Sequence, residues 1–112
     1  MKKAIIGTVV GLLISISTAK AEVKYDYKNP EHTIDKNCMA YFGWAREVFH
    51  AGGNMESYKA FTDWQNTLIL KYAYSKQLNT HVDVYKTLIK QKVNNDNFEW
   101  KPALQECIER SM

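Results

Sequence analysis

The chain has 112 residues, 46% of them hydrophobic and 12% aromatic, which bounds it to one modest domain and argues against disorder. Its formal charge of +3 comes from 15 Lys+Arg against 12 Asp+Glu, but the surplus sits in Lys2, Lys3 and Lys20 near the start. Residues 22–112 hold 12 basic and 12 acidic groups, so the domain itself has no excess positive charge for phosphate backbones and nucleic-acid binding is excluded as an expectation.

Residues 1–21 read as a cleavable secretory signal peptide. Met1-Lys2-Lys3 is a cationic start, residues 4–16 form an uncharged apolar run, and Ala19 and Ala21 supply the small residues signal peptidase accepts. The run is shorter than the roughly 20 apolar residues of a spanning helix, so no membrane anchor is expected to remain after cleavage. The expected product is periplasmic or secreted and begins at Glu22.

Residues 22–32 are polar and aperiodic, and read as an N-terminal arm in which Asn29-Pro30 marks a turn or an early helix start. From Thr33 onward the spacing is helical. Ile34, Cys38, Tyr41, Phe42, Ala45, Val48 and Phe49 form one apolar stripe that Gly52-Gly53 ends. Gly43, inside this helix, costs stability unless it permits a close helix approach. Asn54 then suits an N-cap, and Tyr58, Phe61, Gln65, Leu68, Ile69 and Tyr72 predict a second helix running to Lys76. Leu70 and Tyr74, four residues apart, lie on its other side. Thr80 to Asp83 resembles a capping box for a third helix carrying Val82, Tyr85, Leu88, Ile89 and Val93 up to the Asn94–Asn97 break. Pro102 suits the first turn of a fourth helix with Ala103, Leu104, Cys107 and Ile108.

Cys38 and Cys107 are the only cysteines. In an oxidising compartment such a pair is expected to be joined, pinning the first helix to the last. Closing a loop of that length removes about 4 kcal/mol of unfolded-chain entropy, a large share of the roughly 5–15 kcal/mol that a domain holds in total. The expected architecture is therefore an all-α domain over residues 33–112, a small four-helix bundle with short connections and one disulfide.

No pattern of catalytic or metal-binding residues emerges. His32, His50 and His81 are scattered without zinc-ligand spacing, and His81 is expected to face solvent. Glu47, Asp63, Asp83, Glu99 and Glu106 fall on faces that read as solvated, and Ser57, Ser75 and Ser111 lack a nucleophile context. No cofactor, metal or enzymatic activity is expected. Among the aromatic residues, Trp44, Trp64, Trp100 and Tyr74 lie at or off the stripe edges and, with Leu70, are the candidates for anchoring a protein partner.

In size, helix content and the placement of Cys38 and Cys107, the chain resembles small periplasmic helical proteins that inhibit cell-wall enzymes or confer immunity to secreted toxins. That resemblance implies a binding module for a protein partner in the envelope, with a second copy of the chain as a further candidate. Periplasmic acid-stress chaperones share the same size and single disulfide. Protonating the 12 carboxylates would make a neutral domain strongly positive and favour acid expansion. A small-ligand carrier using the aromatic interior is a third expectation.

Overall fold

The computed structural model describes residues 23–95 and 98–111. The inferred leader, residues 1–21, lies outside them. Four helices account for most of the described chain: α1 Pro30–Ala51, α2 Met55–Ile69, α3 Lys76–Asn95 and α4 Trp100–Ser111.

Helix α1 begins three residues earlier than the apolar stripe predicts. The Asn29 side chain accepts a hydrogen bond from the Glu31 amide at 2.9 Å, and Pro30 fills the first-turn position where its missing N–H costs nothing. At the other end Gly52 and Gly53 close the helix by donating to the carbonyls of Val48 and His50, both at 3.1 Å, and Gly53 takes the left-handed φ of 78°.

The middle of α1 is buried on every side, from Cys38 without interruption to Ala45. An amphipathic stripe does not do this; a helix does so only when neighbours cover all its faces. Here α1 packs against all three other helices, and α4 also meets α2, so the bundle is built around one central helix. Small residues at Ala40, Gly43 and Ala45 let the neighbours approach. A methyl group at Gly43 would stand 2.9 Å from the Gln65 side-chain nitrogen, so the glycine is what admits Gln65 of α2 against α1. Phe42, Phe49, Phe61 and Trp64 form the aromatic centre between these two helices, with Phe49 and Phe61 stacked at 5.5 Å.

Helix α2 starts as predicted, with the Asn54 side chain accepting from the Ser57 amide at 3.1 Å. It stops at Ile69, short of the predicted Lys76. No glycine or proline causes the break. The Lys71 and Tyr72 amides shift to the tighter i→i−3 pattern, bonding Leu68 and Ile69, and the Ala73 amide leaves the helix to donate to Val23 at 2.7 Å. A parallel bridge thereby pairs Val23 with Tyr72. Helix α3 restarts at Lys76, with the Ser75 hydroxyl oxygen accepting from the Leu78 amide, so Thr80 lies in its second turn and is not its cap. Helix α4 opens at Trp100, two residues before Pro102.

The N-terminal arm is fastened to the body. Besides the Val23 bridge, Tyr25 packs edge-on to Tyr72 and His81, and the Asp26 amide donates to His32 Nδ1 at 2.9 Å. His81 is half-buried beneath the Tyr25 hydroxyl, 2.9 Å from its Nδ1, and does not stand free in solvent as expected.

Arg110 of α4 meets Glu31 and Asp35 of α1 while Trp100 meets Trp44, so the two helices run antiparallel, and the Cys38–Cys107 disulfide joins them with Cα atoms 5.4 Å apart. Among the described residues no helix is long and apolar enough to cross a membrane.

Candidate functional site

The break after α2 makes the most distinctive surface of the molecule. Residues 70–75 form a short connection whose inward side chains are tied down and whose outward side chains are not. The tie is Asp35 on α1, only 1% exposed. One of its carboxylate oxygens accepts from Lys71 Nζ at 2.8 Å and from the Tyr72 hydroxyl; the other accepts from Arg110 Nη2 of α4 at 3.0 Å. Arg110 also reaches Glu31 at 3.0 Å. A buried carboxylate is tolerated only when such donors surround it. Burial alone would push the Asp35 carboxyl up, but the bonds from Lys71, Tyr72 and Arg110 outweigh it and hold it below its ordinary value. Burial, and then the negative Asp35 beside it, push the Tyr72 phenol up, so Tyr72 remains a donor.

With Lys71, Tyr72 and Ala73 anchored, Leu70 and Tyr74 project outward at 68% and 86% exposure. Val23 and Ile69 add further exposed apolar surface, and Val23, Thr67, Leu70 and Lys71 line a shallow groove of about 450 Å³. A backbone held by the Asp35 bonds and the Val23 bridge thus presents Leu70 and Tyr74 to solvent. Single exposed apolar residues need no explanation; Val23, Ile69, Leu70 and Tyr74 make several on or next to one pinned connection.

The three tryptophan candidates lie elsewhere. Trp44 is 8% exposed and packs edge-on to Trp100 at 5.2 Å between α1 and α4. Trp64 is half-buried against Phe42 and Phe61. Trp44 lies off the apolar stripe of α1, yet the middle of α1 is covered on all sides, so that off-stripe position is interior too. Of the five anchoring candidates the fold brings Trp44 and Trp100 into contact between α1 and α4, and leaves only Leu70 and Tyr74 strongly exposed.

Asp35 is absent from the carboxylates that the sequence places on solvated faces, because it is buried. A signal did exist: it stands three residues before Cys38, on the stripe that buries the cysteine, where a charge requires partners. Of the solvated acids, Glu47 pairs with Lys86 and Lys90 of α3, and Asp63 pairs with Lys59 one turn away. Among the described residues no group of three His, Cys, Asp or Glu side chains is placed to hold a metal ion.

Comparison with protein-family models, curated proteins and solved structures finds no match to this chain.

Proposed function

We propose that the chain is an exported protein-interaction module that binds a protein partner of the cell envelope, in the manner of an inhibitor or immunity protein, through the apolar apex around Leu70 and Tyr74. The observation that carries this reading is the division of labour in residues 70–75. Lys71 and Tyr72 are spent on Asp35, while Leu70 and Tyr74 are held out in solvent on the same short backbone. A partner closing over them gains apolar burial on a backbone that Asp35 and Val23 already hold in place by hydrogen bonds, which lowers the cost of binding. Tyr is among the residue types that dominate interface energetics. The disulfide is compatible with an oxidising extracellular compartment, where the apolar leader of residues 1–21 would direct the chain.

The test is cross-linking in the native envelope, comparing wild type with the double variant Leu70→Asp/Tyr74→Asp. A partner cross-linked by wild type and lost in the variant, with helical circular dichroism unchanged, supports the reading. Equal cross-linking by both rejects it. Light scattering of each protein alone separates self-association from capture of another chain.

The acid-chaperone reading gains one specific support: the connection carrying the apex depends on an ionised Asp35, and acid removes that ionisation. Client aggregation near pH 2–3, with and without the protein, tests it. Unchanged client turbidity would end it.

A further inference from the structure

A second cleft lies between α1, α2 and α3, away from the apex. It is about 490 Å³ and polar, lined by Gly43, Arg46, Glu47, Tyr58, Gln65 and Lys86, with the His50 ring packed beside Tyr58 at 5.1 Å.

Arg46 is the unusual member. Its guanidinium is part-buried and fixed at two points: Nη1 donates to Gln65 Oε1 at 2.8 Å and Nη2 to the Tyr58 hydroxyl at 3.2 Å. The Tyr58 ring also faces it, 5.3 Å from the guanidinium carbon. Gln65 is itself locked, because its Nε2 donates to the Met39 carbonyl at 3.0 Å, so its oxygen has no choice but to face the arginine. Every partner is neutral. Among the described residues no carboxylate pairs with Arg46, and its Nε–H is buried without any acceptor. A guanidinium has five N–H donors, so the two bonds made leave three unused.

The neighbouring charges do not compensate it. Glu47 is the one carboxylate of the lining, and it is shared between Lys86 at its Oε2 and Lys90 at 2.8 Å from its Oε1. Within the lining Arg46 and Lys86 face one Glu47, and Lys90 bonds that same carboxylate from outside the cleft, so the four groups leave two positive charges in and beside it. A held, uncompensated cation in such a place attracts an anion far more strongly than a free surface lysine does. Gly43 belongs to the same design, since a side chain there would collide with Gln65 and crowd the stem of Lys86, which lies 3.4 Å from where a methyl would be.

We propose that this cleft binds a compact oxyanion, a carboxylate or a phosphate group, with Arg46 as the fixed donor and Lys86 as a second cation beside it. It is a site separate from the apolar apex, and its failure would leave the apex reading untouched.

The side-chain Nε–H resonance of Arg46 reports on the cleft directly. It should be followed by NMR in the full-length protein during titration with inorganic phosphate and, separately, with succinate, against chloride at matched ionic strength. The expected result is a saturable shift with at least one anion, and which anion saturates separates phosphate from carboxylate chemistry. Arg46→Gln removes the charge and keeps hydrogen-bonding capacity; it should weaken binding, followed at the Lys86 and Gln65 side-chain resonances, by about tenfold or more. Glu47→Gln, on an exposed side chain that does not support the core, should tighten binding. No saturable shift with either anion, no loss in Arg46→Gln, or no tightening in Glu47→Gln would each overturn the proposal.

Discussion

Arg110 Nη2 lies 3.0 Å from Asp35 Oδ1, and each of these residues stands three positions from the cysteine that its helix contributes to the disulfide. Helices α1 and α4 are therefore stitched twice within one turn, once covalently through Cys38 and Cys107 and once by charge. The second stitch extends to Lys71 and Tyr72, so the same carboxylate that secures the last helix also secures the connection bearing Leu70 and Tyr74.

Replacing both cysteines by serine should lower stability by about 4 kcal/mol, since the bond closes a separation of 69 residues. The ionic stitch keeps α4 docked, so the helical signal at neutral pH should persist while the urea midpoint falls. Urea titrations of both proteins measure this. A midpoint that does not move would show that the disulfide adds nothing to the fold.

Asp35→Asn should cost about 2–3 kcal/mol, because it removes the charge that three donors converge on. Lys71→Ala should cost under about 1 kcal/mol, since that ammonium is half exposed and is rehydrated when freed. Thermal denaturation of the two variants gives the ranking. Equal losses would mean that Asp35 is not the centre of the network.

The pH dependence follows from the direction of the shifts. The Asp35 carboxyl is held below its ordinary 3.8, so its contribution is complete above that value and is lost as the pH falls through the lower, folded-state value. Stability should be level through neutral pH and decline below about pH 4. At the alkaline end, burial first and Tyr85 second push the Tyr41 phenol up to about 12, so stability should decline as the pH rises above the ordinary 10.0. Urea midpoints across the pH range test both limbs. In Asp35→Asn the acid limb should flatten, and an acid limb of unchanged depth would assign it to other carboxylates.

Gly43→Ala should destabilise by about 1 kcal/mol. Alanine gains helix propensity of about 1 kcal/mol, but overpacking against Gln65 costs about 1–3 kcal/mol. Gln65 is held by Met39 and Arg46 and has little room to yield. Calorimetry decides the sign, and a stabilised variant would show that α1 and α2 can part without cost.

Within the chain, periodicity and caps were legible where the deciding interactions are local. Asn54, Gly52-Gly53 and the stripes of all four helices act through bonds to residues at most a turn or so away, so short windows of sequence contain their causes. The disulfide was legible because two cysteines permit one pairing. The end of α2 was not legible, since Leu70 to Lys76 consists of adequate helix formers and nothing nearby breaks them. Nor was the interior position of Trp44, because a stripe analysis assumes one wet face and α1 has none along its middle.

By itself the sequence determined the helical class, the number of helices, the Gly52-Gly53 and Asn54 caps and the one covalent link. Tertiary structure alone decided that α1 is the shared centre, that α2 stops at Ile69, that the arm is fastened and that Trp44 lies in the interior. The physical reason is the range of the forces. A helix is written in residues three and four apart, whereas the Asp35 network joins groups 36 to 75 residues apart, and the free energy of a buried charge depends on which distant donors the fold brings to it.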